Sequence, residues 1–299
     1  MTQTRTAFIA IVGCPNVGKS SILNRLLGQK IAVVSPKPQT TRTKIMGVLT
    51  ENDVQLVFTD TPGFHRPRTK LGEKMVKAVS DSISGVDACL FVVESSGELR
   101  DAEKDLLGKF KKEKMPVILA INKIDSVKQK ELLIERMAQF SALYDFEAIV
   151  PCSALKGDGF GELKDELFKQ SQPSPHFFPD DTLTDQPERV IAAEIIREKL
   201  LNLLDDEVPH GVAVCIERMH EREDSDITDI DATVYCERES HKGIIIGKKG
   251  EMLKKVSTRA REDMERFFMC KINLHCWVKV KEGWRNREGL IRNFGLDNE

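Results

Sequence analysis

Near its N-terminus the chain carries a run of residues that can hold the phosphates of a nucleotide. Positions 13–20 read GCPNVGKS, which fits the pattern G-x-x-x-x-G-K-[ST]. The glycines allow backbone N–H groups to curl around phosphate oxygens, while Lys19 can reach the β- and γ-phosphates and the Ser20 hydroxyl can bind Mg²⁺. We therefore predict a phosphate site that includes Gly13, Asn16, Val17, Gly18, Lys19, Ser20 and Ser21.

The motif DTPG at positions 60–63 places a carboxylate and a glycine after a short apolar run. Asp60 stands where a buried strand would end, so it can hold Mg²⁺ through a water molecule. The N–H of Gly63 can approach a γ-phosphate closely because glycine has no side chain. An Asp-x-x-Gly turn is common by itself, so its significance comes from its position after the phosphate motif.

Two later motifs can select the base of the nucleotide. Asn122 and Lys123 lead to Asp125, whose carboxylate can accept hydrogen bonds from the N1–H and the exocyclic amine of guanine. Adenine lacks that donor pair, so Asp125 predicts GTP rather than ATP. Asn122 is expected to tie this loop to the phosphate loop, and Lys123 to lie over the base. The backbone N–H groups that can bind guanine O6 belong to Ser153, Ala154 and Leu155.

These motifs must be held at the ends of strands, and the hydrophobic pattern supplies such strands. Continuous apolar runs, typical of strands buried on both faces, occupy positions 8–12, 54–58, 88–93, 117–121 and 148–150. Helical patterns lie between them at 20–27, 70–84, 102–114, 128–143 and 161–168. The alternation predicts a doubly wound α/β domain over residues 1–172, with ligands at the carboxyl ends of the strands. The first run leads directly into the phosphate motif, so we interpret it as a strand and not as a signal-peptide core.

The length of 299 residues is enough for two domains. The net charge of -2 predicts no attraction of the whole chain to nucleic acid, so any such contact must be local. The seven cysteines never form a C-x-x-C pair, which favours reduced thiols in the cytoplasm over a zinc site or disulfides. No apolar run approaches the roughly 20 residues of a membrane helix.

The character of the sequence changes after the first domain. We interpret residues 173–187, which are rich in proline and acidic residues, as an extended and partly mobile linker. Residues 188–299 then show the order α-β-β-α-α-β, which predicts a smaller α+β domain. Between its two adjacent helices, positions 247–250 read GKKG. The glycines let the chain approach a nucleic-acid backbone and the lysines can pair with phosphates, as in the G-x-x-G loop of a type II KH domain.

Charge is unevenly distributed in this second domain. Residues 236–287 contain 14 Lys and Arg against 7 Asp and Glu, whereas residues 177–235 contain 5 against 16. A local basic patch is typical of an RNA-binding face, although a solvated helix face also explains single lysines. Of the two tryptophans, Trp284 is the better candidate for stacking on a base. The predicted RNA-binding residues are Lys242, Ile246, Gly247, Lys248, Lys249, Gly250 and Trp284.

The nucleotide motifs, in this order, resemble the Ras-like GTPase superfamily, and the QTTR sequence at 39–42 is similar to its first switch. The resemblance implies that one threonine completes the Mg²⁺ shell; Thr41 is favoured and Thr40 is the alternative. Phe64 stands where Ras-type enzymes carry a glutamine that orients the attacking water. We interpret the next residue, His65, as a surface residue in preference to the alternative of a catalytic one. Intrinsic turnover is therefore expected to be slow, with stabilising charge supplied from elsewhere.

Asn16 offers one source of that charge. In several GTPases of this class an Asn at this position helps to coordinate K⁺, so we hypothesise that K⁺ stimulates turnover; alternatively Asn16 only shapes the loop. The predicted catalytic residues are Lys19, Asn16, Thr41 and Gly63, and the predicted Mg²⁺ ligands are Ser20, Thr41 and Asp60.

Nearly the whole chain resembles the Era family of bacterial GTPases, most closely at KGIIIGKKG (242–250) and LHCWVKVK (274–281). The resemblance implies a monomeric GTPase that binds the single-stranded 3′ end of 16S rRNA during maturation of the small ribosomal subunit. It also implies a cytoplasmic protein with peripheral association to the cell membrane. Two other functions stay open: a GTP-regulated switch that acts on a protein or membrane partner, and an RNA-binding module with a vestigial nucleotide site.

Overall fold

The structure is a computed structural model that describes residues 3–35, 37, 40–64, 67, 69–127, 129–204 and 208–296. The chain separates into two compact units, each with its own sheet and hydrophobic core. The first unit comprises Met1–Val34, Thr41–Pro67 and Lys74–Asp185; the second comprises Ser35–Thr40, Arg68–Glu73 and Gln186–Glu299.

The sheet of the first unit has the spatial order β2-β3-β1-β4-β5-β6, and β7 pairs antiparallel with β1. Its strands are β1 (Arg5–Val12), β2 (Ile45–Glu51), β3 (Val54–Asp60), β4 (Ala88–Glu94), β5 (Val117–Asn122), β6 (Ala148–Pro151) and β7 (Gln172–Pro173). Strands β3, β1, β4, β5 and β6 are parallel, and each contains one of the predicted apolar runs. Strand β2 was missed by the sequence analysis. It is antiparallel to β3 at the sheet edge and partly exposed, so no continuous apolar run marks it.

Five helices alternate with these strands, and their ends lie within two residues of the predicted ones. They are α1 (Lys19–Leu27), α2 (Lys70–Ile83), α3 (Asp101–Glu113), α4 (Lys130–Ser141) and α5 (Phe160–Lys169). The ring of Phe91 on β4 meets Phe110 of α3 and Phe140 of α4 edge to face, at centroid distances of 5.5 and 6.0 Å. These aromatic contacts fix α3 and α4 against the sheet, and the predicted doubly wound α/β fold is confirmed.

The segment 173–185, which the sequence predicts as part of a mobile linker, is bound along the first unit. The side-chain oxygen of the buried Gln55 accepts hydrogen bonds from the backbone N–H groups of Phe177 (2.8 Å) and Phe178 (3.0 Å). Further along, the Leu183 carbonyl accepts a hydrogen bond from the Val48 N–H at 2.9 Å. The linker prediction is corrected accordingly, since this segment belongs to the first unit.

The second unit contains the predicted order α-β-β-α-α-β, followed by one more short helix. Its elements are α6 (Glu188–Leu203), β8 (Ala213–Glu221), β9 (Ile227–Cys236), α7 (Glu239–Ile246), α8 (Glu251–Phe268), β10 (Lys271–Val280) and α9 (Glu288–Asn293). The sheet order is β10-β9-β8, with β10 parallel and β8 antiparallel to β9. The predicted α+β domain is confirmed.

Alternation along the strands gives this small sheet one apolar face. Ile230, Ala232 and Val234 of β9 are fully buried in one cluster with residues of α6 and α8, among them Ile196 and Val256. The core of the second unit therefore lies between the helices and one face of the sheet. Among the described residues, no helix is long and apolar enough to cross a membrane.

Candidate nucleotide and RNA sites

The phosphate loop joins the end of β1 to the start of α1, and its outer glycines are sterically required. Gly13 has a φ of +153°, and a Cβ there would lie 2.3 Å from the Val92 carbonyl oxygen. Gly18 has a φ of +99°, and a Cβ there would lie 2.2 Å from Nδ2 of Asn122. A side chain at either position would force the loop out of this conformation. The loop therefore keeps its backbone N–H groups close to the first turn of α1, where they can hold phosphate.

The Lys19 ammonium lies inside this loop. Its side chain is buried, and Nζ donates hydrogen bonds to the carbonyl oxygens of Gly13 (3.2 Å) and Cys14 (3.0 Å). Burial lowers the pKa of Lys19, and the negative charge of Asp60 opposes that shift. A cation so placed can reach the phosphates of a nucleotide held by the loop.

The three predicted Mg²⁺ ligands meet beside Lys19. The Ser20 hydroxyl donates a hydrogen bond to Oδ2 of Asp60 at 2.6 Å, and the hydroxyl oxygens of Ser20 and Thr41 lie 2.9 Å apart. Asp60 is fully buried; burial raises its pKa to about 6, against the lowering effect of Lys19. Its Oδ1 atom is buried without a hydrogen-bond partner among the described residues. Oxygen donors with one unsatisfied carboxylate oxygen fit the preference of Mg²⁺.

The structure distinguishes the two candidate threonines. Thr41 is buried next to Ser20, whereas the Thr40 hydroxyl donates a hydrogen bond to the Lys37 carbonyl at 2.6 Å. Only Thr41 is therefore brought to the carboxylate of Asp60. Gln39, the first residue of this motif, lies outside the described residues.

The loop after β3 brings Gly63 against the phosphate loop. A Cβ on Gly63 would lie 2.7 to 2.8 Å from atoms of Pro15, so the close approach depends on glycine. The next N–H, of Phe64, donates to the Gly13 carbonyl at 3.1 Å. The Phe64 ring is buried in the core, with the ammonium of Lys109 4.8 Å from its centroid. Phe64 thus packs instead of contacting a water, and His65 lies outside the described residues.

Asn122 joins the base-recognition loops to the phosphate loop, as predicted. Its amide nitrogen donates to the Val17 carbonyl at 2.9 Å, and its amide oxygen accepts from the Ala154 N–H at 3.0 Å. The carboxylate of Asp125 accepts a hydrogen bond from the Ser153 hydroxyl. Asp125 and the loop of Ser153 and Ala154 therefore lie together, where a guanine edge can meet both. The third residue of that loop, Leu155, has an exposed side chain.

Glu94, at the end of β4, is a site residue that the sequence analysis missed. Its carboxylate pairs with the ammonium of Lys123 and with the guanidinium of Arg100, the latter at 2.5 Å. Lys123 also donates to the Asn16 carbonyl in the phosphate loop at 2.7 Å. Glu94 is paired with Asn122 in the register of β4 and β5, so it lies beside the loop of Asn122, Lys123 and Asp125. The sequence feature that could have identified Glu94 is its position as an acidic residue at the carboxyl end of β4, where ligands bind in such sheets.

In the second unit, the GKKG loop lies between the end of α7 and the start of α8. Gly247 has a φ of +72°, and a Cβ there would lie 2.7 Å from Cβ of Met252. The side chains of Lys248 and Lys249 are exposed, and Ile246 is half-buried at the end of α7. The predicted Lys242 is on α7 and Gly250 directly precedes α8. The loop thus presents two ammonium groups on a backbone that glycine allows to turn sharply.

The prediction that Trp284 stacks on RNA bases is wrong. Its side chain is fully buried, its Nε1–H donates to the Gly211 carbonyl at 2.9 Å, and its ring meets Phe294 edge to face. The exposed tryptophan is Trp277 on β10, with 48% of its surface accessible. The burial of Trp284 removes it from the predicted RNA-binding residues.

Comparison with known proteins matches a different family to each of the two units. The family described as 50S ribosome-binding GTPase matches residues 8–123, and the family described as KH domain matches residues 207–285. The chain is 48% identical over 295 residues to GTPase Era of Clostridioides difficile (strain 630), covering 99% of each protein. It is 49% identical over 291 residues to GTPase Era of Ruminiclostridium cellulolyticum, covering 97% of each.

Two crystal structures are similar over nearly the full length. One is a variant of Aquifex aeolicus Era bound to GDP and AlF4⁻, with 37% identity, a TM-score of 0.94 and coverage of 98% of this chain and 99% of that one. The other is Era in complex with MgGDPNP and nucleotides 1506–1542 of 16S ribosomal RNA, with 38% identity, a TM-score of 0.92 and the same coverage.

Proposed function

The chain belongs to the Era family of GTPases, and from that premise we propose that it uses GTP to control the binding of small-subunit rRNA by its KH domain. It binds GTP and hydrolyses it to GDP and phosphate, with Mg²⁺ as cofactor. The observation that carries the nucleotide part is the meeting of Ser20, Thr41 and Asp60 beside the buried Lys19. Hard oxygen donors and an ammonium group placed together suit an Mg²⁺-bound triphosphate.

Each group has a defined role in this proposal. Ser20, Thr41 and Asp60 hold Mg²⁺, which supplies charge that neutralises the phosphate oxygens when it is bound. Lys19 and the backbone N–H groups of the phosphate loop stabilise the charge that develops on the β- and γ-phosphates. The N–H of Gly63 contacts the γ-phosphate. No side chain at position 64 can orient the attacking water, since Phe64 is buried in the core. Slow intrinsic turnover follows.

We propose that K⁺ binds near Asn16 and supplies an additional positive charge that speeds turnover. Asn16 has a φ of +65° in the phosphate loop. The Asn16 carbonyl is bound by Lys123, which fixes the loop at this position. Turnover of the full chain in KCl is expected to exceed that in NaCl, and Asn16→Ala should remove the difference. Asn52→Ala is the control, because Asn52 is an exposed asparagine with a similar φ of +55° in the turn between β2 and β3. Equal turnover in both salts would contradict the role of K⁺ and leave the GTPase assignment intact.

The RNA part of the proposal is supported by the GKKG loop and by the bound 16S rRNA fragment of a similar Era structure. The loop can clamp about four nucleotides of single-stranded RNA. The expected ligand is the single-stranded 3′ end of 16S rRNA, within the small ribosomal subunit, and the process is ribosome biogenesis. The proposed RNA contacts are Lys242, Ile246 and the GKKG loop; Trp284 is excluded because it is buried.

The experiment that tests coupling is GTP turnover with a single-stranded RNA that matches the 16S 3′ end and with a scrambled RNA. Stimulation by the first RNA alone supports one RNA-sensing switch. Tight binding without stimulation would show that hydrolysis is triggered by another partner. Gly247→Asp is expected to remove RNA binding while intrinsic turnover persists, because the loop and the nucleotide site lie in different units.

We further propose a monomer in the cytoplasm with peripheral association to the cell membrane, on the family resemblance alone. Sedimentation of the purified chain and fractionation of cells that express it test these two points. Recovery only from the soluble fraction would contradict the membrane association.

A further inference from the structure

The sheet of the second unit has one face that points away from the core formed with α6 and α8. Tyr235 of β9, at one end of this face, stacks on Phe294, the residue that follows α9. In the strand register, this open face carries Lys271, Asn273, His275, Trp277 and Lys279 of β10, beside Asp229, Asp231 and the buried Thr233 of β9. The alternate residues of the same strands form the buried core. Because β10 is an edge strand, its open face and its free edge adjoin one another.

Two rings are stacked in the middle of this face. His275 and Trp277 have a centroid distance of 6.1 Å and an interplanar angle of 19°. Trp277 keeps 48% of its surface accessible and His275 is exposed, whereas the Trp284 ring is fully buried. The pair therefore presents an aromatic face to solvent, and such a face is a surface on which a nucleic-acid base can stack.

The charges around the rings favour an anionic ligand. Lys271 and Lys279 lie exposed on the same face, on either side of the ring pair. The neighbouring carboxylates are already occupied by cations. Asp229 accepts from Arg222 at 2.7 Å, and Asp231 lies 3.1 Å from Arg218. The lysines therefore give the area around the stacked rings a positive potential.

We propose that the His275–Trp277 pair is a second RNA contact, on which a base of single-stranded RNA stacks beyond the nucleotides held by the GKKG loop. The proposal extends the RNA-binding function proposed above and rests on it. Strand β10 packs against both α7 and α8, the helices that flank the loop. An RNA strand that leaves the loop can cross the β10 edge to reach the rings, with Lys271 and Lys279 beside its phosphates. Stacking on an aromatic ring tolerates any base, so this contact adds affinity more than sequence specificity.

The test compares two RNAs with the full chain. The short RNA has about four nucleotides, the length that a GKKG loop clamps. The long RNA extends the same sequence at both ends. We expect Trp277→Ala to weaken binding of the long RNA about 10-fold and to leave the short RNA unchanged. Trp277→Phe should restore most of the affinity because an aromatic face is retained. Met269→Ala, which removes a residue 84% exposed on the same unit, is the control and should change neither.

Intrinsic tryptophan fluorescence gives a second readout, which is measured on the wild type with the Trp277 ring in place. The chain has two tryptophans, and only Trp277 is exposed, so the long RNA should quench emission in the wild type but not in Trp277→Phe. Gly247→Asp separates the two proposals, since it should weaken both RNAs. Unchanged binding of both RNAs by Trp277→Ala, with Gly247→Asp defective, would overturn the second contact alone. If Gly247→Asp also binds normally, the proposed function fails. Loss of self-association or of protein binding in Trp277→Ala, with RNA binding intact, would assign the surface to a protein partner instead.

Discussion

The hydroxyl oxygens of Ser20 and Thr41 lie 2.9 Å apart, although the two residues are separated by 21 positions in the sequence. The contact closes the loop between α1 and β2 onto the phosphate loop. It also brings both hydroxyls to the buried carboxylate of Asp60, which bonds to Ser20 at 2.6 Å. Residues from three separate motifs thus form one oxygen-lined site. Of the two adjacent threonines, only Thr41 contributes its hydroxyl to this site.

Thr41→Ala is expected to lower GTP turnover about 100-fold because it removes a ligand that acts on the γ-phosphate side of Mg²⁺. Binding of GDP should change by less than about 3-fold, since GDP lacks that phosphate. The matched control is Thr40→Ala, whose hydroxyl bonds to the Lys37 carbonyl instead. Single-turnover hydrolysis and GDP titration measure both quantities. Equal losses in the two variants would show that the loop as a whole, not the Thr41 oxygen, supports turnover.

Asp125→Asn is expected to change the preferred base. A carboxylate at this position can accept two hydrogen bonds from guanine. An amide can accept one and donate the other, which suits the C2 carbonyl of xanthine. GTP affinity should fall at least about 100-fold, while affinity for XTP rises. Competition between GTP and XTP for the protein measures the exchange. The exposed Asp165→Asn on α5 is the control for loss of charge. Retained GTP preference in Asp125→Asn would place base recognition elsewhere.

Glu94→Gln tests the link between the base loop and the phosphate loop. Burial alone raises the pKa of Glu94, but the hydrogen bonds and charges of Lys123 and Arg100 outweigh burial, so the pKa is lowered overall. Because the pKa of Glu94 is lower in the folded than in the unfolded protein, ionised Glu94 stabilises the fold at pH values above the pKa of the unfolded state. This stabilisation is lost as the pH falls through the pKa of Glu94 in the folded state. At pH 7 we expect a loss of about 1 kcal/mol, a modest value because water screens the half-exposed Lys123.

The difference between wild type and Glu94→Gln should therefore begin to shrink as the pH falls below about 4.3, the pKa of glutamate in an unfolded chain. It should disappear only below the lowered pKa of Glu94 in the folded protein. Urea unfolding at several pH values measures this difference in stability. The affinity for GDP at pH 7 should also fall in Glu94→Gln, because Lys123 loses the carboxylate with which it pairs. Glu98→Gln, at an exposed residue in the loop that follows β4, serves as control. A destabilisation that persists undiminished at low pH would show that packing, and not the charge of Glu94, is responsible.

The nucleotide motifs could be predicted because each is a local sequence with fixed chemistry at the end of a strand that its own apolar residues identify. The roles of Trp277 and Trp284 could not. Trp277 lies in a strand whose residues alternate between two faces. The sequence pattern shows that there are two faces, but it does not show which of them packs against the helices. Trp284 is covered by Phe294, which follows it closely in sequence, and its Nε1–H is bound by the carbonyl of Gly211, which is 73 positions away. Burial that depends on such long-range contacts leaves no local signal.

The same reason explains the segment 173–185. Its prolines and acidic residues are typical of a linker, yet its backbone finds partners on Gln55, which sits in the otherwise apolar strand β3. A buried polar side chain in such a strand needs hydrogen-bond partners, but the sequence does not say where they come from.

Gln55→Ala should release this segment. The side chain accepts from the N–H groups of Phe177 and Phe178 and donates to the Phe178 carbonyl at 2.9 Å, so truncation leaves three backbone groups without these partners. Some of them will be rehydrated, and we expect a loss of about 2–3 kcal/mol in the free energy of unfolding. Limited proteolysis should show faster cleavage within 173–185, since detached backbone can enter a protease site. Gln129→Ala, at an exposed glutamine before α4 whose side chain makes no capping bond, is the control and should be cleaved like the wild type. Wild-type cleavage in Gln55→Ala would mean that β7 and the Val48–Leu183 hydrogen bond hold the segment without Gln55.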